Sequence, residues 1–88
     1  MSGENTTLYG QWAGSALTSE SACNTFIGAN AGYYTRDGAS FNTAVGAGSM
    51  TNNTTGFNNT ACGSSALEGN ETGSGGDYNS AFGTNALW

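Results

Sequence analysis

The feature that most constrains this chain is a phrase that it repeats five times. NTFIGANAG (Asn24–Gly32), NTAVGAGSM (Asn42–Met50), NTACGSSAL (Asn59–Leu67) and NSAFGTNAL (Asn79–Leu87) are near-copies, and TTLYGQWAG (Thr6–Gly14) is a looser one. They begin at residues 6, 24, 42, 59 and 79, so their spacings are 18, 18, 17 and 20 residues. Self-similarity at such a period marks a stacked repeat, in which one short unit cannot bury its own face and relies on its neighbours.

Aligned, the copies resolve into columns. The first is Thr6, Asn24, Asn42, Asn59, Asn79, and the second is Thr7, Thr25, Thr43, Thr60, Ser80. The third runs Leu8, Phe26, Ala44, Ala61, Ala81, and the fourth is apolar throughout: Tyr9, Ile27, Val45, Cys62, Phe82. The fifth is glycine in every copy: Gly10, Gly28, Gly46, Gly63, Gly83. Three residues on stands a small residue, then Gly14, Gly32, Met50, Leu67 or Leu87. Connectors such as TNNTTGFN (Thr51–Asn58) and EGNETGSGGDY (Glu68–Tyr78) are rich in Asn and Gly, which tolerate positive φ in turns.

Five residues of the NTAVG kind read as a short strand. Successive side chains alternate, so the hydroxyl and apolar columns share one face while Asn, the third column and Gly share the other. Because they share the face of the apolar column, the hydroxyls are expected to point inward and bond between coils. Stacked strands lie about 4.8 Å apart, close enough for Asn24, Asn42, Asn59 and Asn79, and likewise Thr25, Thr43 and Thr60, to form ladders from coil to coil. Gly28, Gly46, Gly63 and Gly83 are expected at a corner that a side chain would block, or where another backbone comes close. A coil of this length traces roughly 55 Å at about 3.3 Å per residue, which suits a narrow three-sided solenoid. Glycine in every copy and the Asn, Thr and Ser content oppose helix, and no stripe at i, i+3, i+4, i+7 appears. The expected fold is therefore all-β: a β-solenoid or β-roll of about five coils of 17–20 residues, forming one repeat domain over residues 1–88 with an incomplete last coil, within a fibrous oligomer.

Composition narrows what such a coil can do. Few Leu, Ile, Val and Phe with a net charge of −5 would ordinarily point to disorder, but two Trp, four Tyr and four Phe at recurring positions argue for a folded chain that relies on stacking. Arg36 is the only cation, so neither nucleic-acid binding nor a polybasic membrane anchor is expected. No apolar run spans a bilayer, and MSGENTTLYG has no secretory leader pattern, so release with a virus particle is one expected route out of a cell.

The pattern N-T-A-(apolar)-G-x-x-A-L, followed by N-N-T-T-G, resembles repeats in phage tail-fibre shafts and in the heads of trimeric autotransporter adhesins. The tail-fibre form is closer in repeat length, and the likeness runs from about residue 6 to residue 87. It implies a fibrous, mostly β, trimeric protein at a virion or cell surface, serving as a stalk or receptor-binding surface. It also implies that the Asn column and the column Ile27, Val45, Cys62, Phe82 are structural. The chain departs from those fibres in that residues 1–88 show no C-terminal trimerising module of the kind they often carry. It stops in mid-repeat, from which a second expectation arises: head-to-tail addition of copies into an open filament, with Met1–Gly10 of one completing the last coil of another.

Chemistry has little to work with. Without His, no Ser-His or Cys-His couple can form, and the acids Glu4, Glu20, Asp37, Glu68, Glu71 and Asp77 show no repeated spacing, so no enzyme is expected. Cys23 and Cys62 stand in different columns about two coils apart, too far for a disulfide, and read as small buried hydrophobes. The single Asp in GSGGDYN (Gly73–Asn79) reads as a surface insertion, and no metal or cofactor is expected. Sequons at Asn5, Asn52, Asn53, Asn58 and Asn70 arise easily in so Asn- and Thr-rich a chain. The Thr column raises an ice-binding reading, but the second hydroxyl row that usually accompanies one is missing. The expected function is a structural segment of an extracellular fibre or spike, with attachment to a cell-surface glycan or receptor. Trp12, Tyr33, Tyr34 and Trp88 are the candidates for surface recognition, the alternative being that they cover neighbouring chains in an oligomer.

Overall fold

A computed structural model gives the arrangement of residues 5–18, 21–36, 38–68 and 78–87. Five three-residue strands, β1 (Thr7–Tyr9), β2 (Thr25–Ile27), β3 (Thr43–Val45), β4 (Thr60–Cys62) and β5 (Ser80–Phe82), form one parallel sheet in sequence order. Thr7 pairs with Thr25, Thr25 with Thr43, Thr43 with Thr60, and Thr60 with Ser80. Each coil therefore contributes one strand, and equivalent residues of successive copies lie over one another. The fold is an all-β solenoid, with no helix among the described residues.

The coil-to-coil ladder extends well past the strands. In the second coil the Thr25 N–H donates to Asn42 O at 2.8 Å, Gly28 to Tyr9 O at 2.7 Å and Asn30 to Gln11 O at 2.9 Å. It continues with Gly32 to Ser49 O at 2.9 Å, Tyr34 to Thr51 O at 2.9 Å and Arg36 to Thr54 O at 2.7 Å. Tight turns inside the coil, such as Ala31 N–H to Gly28 O at 3.1 Å and Thr35 N–H to Gly32 O at 3.0 Å, bend the chain as it goes. The bends recur at fixed left-handed positions. One is Asn5, Cys23, Phe41, Asn58 and Tyr78; another is Trp12, Asn30, Gly48, Ser65 and Asn85; a third is Gly14, Gly32, Met50, Leu67 and Leu87. This is the use of the Asn and Gly content. Bulky residues at such positions cost of order 1 kcal/mol or more each and persist because the ladders on both sides hold the backbone there.

The fifth-column glycines are required for a steric reason. A Cβ on Gly28 would lie 2.7 Å from the carbonyl of Gly46, and one on Gly46 would lie 2.6 Å from that of Gly63. Gly10 and Gly63 face Gly28 and Gly83 in the same way, and all four have φ between +127° and +133°. The glycine is thus both a corner and the point of closest approach of two backbones.

The strand faces are reversed from the inward hydroxyls expected of the sequence. The first and third columns point inward: Asn24, Asn42 and Asn59 are fully buried, as are Phe26, Ala44 and Ala61. The apolar fourth column points outward, with Tyr9 76% and Phe82 71% exposed and Cys62 also exposed. The reading of Cys62 as a buried hydrophobe is accordingly corrected, and Cys23 is half-buried; both thiols are free. The reason lies across the coil. Met50 and Leu67, on the turn side, fill the space beside Ala44 and Ala61, so the interior has no room for Val45 or Cys62.

Core volume is exchanged between two columns. Where the third column is large (Leu8, Phe26), the residue six positions on is Gly14 or Gly32; where it is Ala44, Ala61 or Ala81, that residue is Met50, Leu67 or Leu87. A Cβ on Gly32 would lie 2.5 Å from the Phe26 ring, and one on Gly14 would lie 2.6 Å from Leu8 Cδ2. The first four coils fill the same interior from one wall or the other, whereas Leu87 of the last stays exposed.

Two outcomes test this packing by urea unfolding followed by circular dichroism. Gly46→Val abolishes folding, whereas Gly83→Ala, which meets nothing within 4 Å, loses only about 1–2 kcal/mol through its backbone conformation. Phe26→Ala costs about 3–5 kcal/mol, and adding Gly32→Leu returns more than half of it, although Gly32→Leu alone is destabilising.

Candidate functional site

The buried asparagines act as clamps between coils. Asn24 Oδ1 accepts from the Asn42 N–H at 3.0 Å while its Nδ2 donates to Ala39 O at 2.9 Å. Asn42 repeats the arrangement, accepting from the Asn59 N–H at 3.0 Å and donating to Gly56 O at 2.8 Å. Each carboxamide thus grips the next coil on both sides of its left-handed corner, Phe41 in one case and Asn58 in the other. Asn59 Oδ1 accepts from the N–H of Asn79 at 2.9 Å and from its Nδ2 at 3.1 Å. Asn59 Nδ2 is buried with no partner among the described residues. The position matching Ala39 and Gly56 is Gly76, outside them. Five of these six contacts join a carboxamide to main chain and only Asn79 Nδ2 to Asn59 Oδ1 joins two side chains, so the ladder differs from the side-chain stacking seen in amyloid-like rows. Only a carboxamide offers the donor and the acceptor at this reach.

The hydroxyl column behaves differently. Thr7, Thr43 and Ser80 are exposed, Thr25 and Thr60 half-buried, and among the described residues no hydrogen bond joins one of these hydroxyls to another. The outer strand face is therefore a hydroxyl row beside an apolar row of Tyr9, Ile27, Val45, Cys62 and Phe82. That expected Thr25–Thr43–Thr60 ladder is replaced by backbone bonds, because the side chains point away from the core.

On the turn side, three of the four candidate aromatics come together. Trp12, Tyr33 and Tyr34 line an open groove of about 240 Å³ with Asn30 and Thr51. Trp12 belongs to the first coil, Asn30 and both tyrosines to the second, and Thr51 to the third. The tyrosine rings meet edge to face, with centroids 4.7 Å apart and an angle of 72°. Thr51 Oγ1 is already engaged, donating to Gly48 O at 2.6 Å and lying 3.3 Å from Asn30 O. Asn30 and Thr51 were not singled out from sequence. The available signal was that Asn30 shares the left-handed column of Trp12, one coil on. Trp88 lies outside the described residues.

Among the described residues the groove's lining holds no charged group and no nucleophile beside a base, so it offers aromatic faces and neutral hydrogen-bonding groups. Among the described residues no group of His, Cys, Asp and Glu is placed to hold a metal ion, and no helix is long and apolar enough to cross a membrane. Of the acids only Glu68 is described, and GSGGDY up to Asp77 is not, nor is the sequon at Asn70. Asn53 is fully buried, which removes it as a glycan acceptor, whereas Asn58 is exposed.

Comparison of the chain with models of protein families, with curated proteins and with solved structures finds no match.

The two sides of the strand predict opposite sensitivities. Asn42→Ala loses about 2–3 kcal/mol, since it leaves the Asn59 N–H buried without its partner and the Gly56 carbonyl with only the long 3.4 Å contact from Asn53 Nδ2. Thr43→Ala, on the outer face, stays within about 0.5 kcal/mol of the parent by the same unfolding measurement.

Proposed function

We propose that this chain is a structural segment of an extracellular fibre or spike of the tail-fibre kind, working as a homo-oligomer and presenting a surface for host attachment. One observation carries this reading: every inward column is committed to holding one coil on the next. Asn grips a corner, Gly admits the neighbouring backbone, and Phe26, Met50 or Leu67 fills the interior. A scaffold of that kind supplies length and stiffness, and leaves ligand contacts to whatever departs from the repeat on its outside.

The outer apolar row supports the oligomeric part. Tyr9, Ile27 and Phe82 lie exposed along one face beside the less exposed Val45, and contiguous apolar surface of this kind is characteristic of contact sites. The likeness of the N-T-A-(apolar)-G repeat to tail-fibre shafts agrees with a surface covered by other copies at a virion or cell exterior. Against an ice-binding role, the large Tyr9 and Phe82 side chains stand beside the hydroxyl row and break the flatness that ordered water would need. The aromatic groove supports attachment, and its neutral lining speaks against nucleic-acid partners.

Negative-stain electron microscopy of the purified chain, paired with analytical ultracentrifugation, tests the reading. Rods of uniform length with the mass of a small closed oligomer are expected. A chain that stays monomeric at high concentration would remove the fibre role, and open-ended filaments would replace it with a subunit that polymerises head to tail.

A further inference from the structure

We infer that the groove of Trp12, Asn30, Tyr33, Tyr34 and Thr51 binds one neutral pyranose ring of a surface glycan, with the ring stacked on aromatic faces and its hydroxyls bonded to the Asn30 carboxamide. The inference deepens the attachment part of the proposed function and names its ligand class.

The groove is built where the repeat is broken. Two residues after the fifth-column glycine stand Asn30, Gly48, Ser65 and Asn85, all small or suited to a left-handed backbone; the first coil has Trp12 there, at φ 64°. Tyr33 and Tyr34 occupy positions filled by Ser15 and Ala16 in the coil before, and by Thr51 and Asn52 in the coil after. Stacking therefore does not demand an aromatic at any of the three places. Trp12 remains 58% exposed and Tyr34 45%, so their burial in the core does not account for them either.

The polar groups are ready for a ligand. Among the described residues, no hydrogen bond engages the Asn30 carboxamide, the Trp12 indole N–H or either tyrosine hydroxyl. A carboxamide donates and accepts at once, which matches the vicinal hydroxyls of a sugar. The alternating apolar and hydroxyl-bearing surfaces of a pyranose suit a lining in which aromatic faces and an amide adjoin. At about 240 Å³ the groove lies below the roughly 300–1,000 Å³ that hold drug-sized ligands, so it takes one ring of a chain with the rest in solvent.

Charge selects among ligands. With no cation in the lining and a net charge of −5, the chain disfavours sialylated or phosphorylated sugars. A quaternary ammonium could lie against the rings through cation–π attraction, but it offers nothing to the Asn30 carboxamide. The neutral ring satisfies both parts of the site.

The test is two-dimensional NMR of the 88-residue chain, following the Trp indole and Asn side-chain resonances. The probes are methyl glycosides of glucose, galactose and mannose, with sialyllactose and choline chloride as comparators. At least one neutral glycoside is expected to shift the Trp12 and Asn30 signals saturably, and more strongly than either comparator. Trp12→Gly, whose backbone suits the left-handed position, is expected to keep the fold and weaken binding by about tenfold or more, as is Asn30→Gly. Absence of any glycoside response, a stronger response to choline or sialyllactose, or undiminished binding in the folded Trp12→Gly variant would overturn the assignment. Mass and rod length decide the fibre reading separately. Uniform rods that ignore every glycoside refute this site alone, and a monomer that binds one refutes the fibre alone.

Discussion

The contact on which this structure depends is glycine backbone against glycine backbone. A Cβ on Gly10, Gly28, Gly46 or Gly63 would lie only 2.6–2.7 Å from the carbonyl group of the next glycine in the column. At that approach no side chain fits, and the coils can close to the spacing at which their main-chain groups bond along most of each turn. The Asn clamps and the left-handed corners follow from the same closeness. An Asn carboxamide reaches the next coil's corner only because the two backbones are already in register. Stability is then a sum of nearest-neighbour interfaces, as expected for a solenoid.

So tight a stack leaves little volume to fill, which explains an interior of Asn, Ala and Ser with only a few large side chains. Buried polar groups are tolerable because they are bonded, and the Asn column carries that requirement. Three side-chain atoms are exceptions: Ser21 Oγ, Thr35 Oγ1 and Asn59 Nδ2 are buried with no partner among the described residues. The large side chains are shared between two walls. Phe26 sits over Gly32 in one coil, and Ala61 opposite Leu67 two coils later, so total volume is kept while its source moves. The left-handed backbone at Met50 and Leu67 is the cost of placing a side chain where other coils use glycine.

The same division separates scaffold from surface. Residues that recur from coil to coil face inward, or form the regular outer row of hydroxyl and apolar side chains. Those that depart from the pattern, Trp12 among them, are free of the stacking requirement and gather on the turn side. A rigid solenoid holds such a group of departures in place without any loop having to order on binding, which favours recognition through a small number of contacts.

Much of this was legible in the sequence. The period, the columns, the parallel strands and the backbone approach at Gly46 follow from aligning NTAVG with its copies, because an in-register stack places like residues over like. The choice of face did not follow. A five-residue strand with Ala44 on one side and Val45 on the other suggests Val45 as the buried residue. Only the opposite wall, where Met50 occupies the space beside Ala44, decides otherwise. Thr25, Thr43 and Thr60 turn outward with it, and Cys62 is exposed for the same reason. Trp12, Tyr33 and Tyr34 could be named from sequence as candidate surface aromatics, but Asn30 and Thr51 could not be joined to them. Their meeting depends on how three successive coils superpose their turns. The sequence by itself determined which residues stack on which, since that is a matter of repetition along one axis. What each stack faces, core or solvent, was decided by tertiary structure, because the volume across the coil belongs to residues from the other wall.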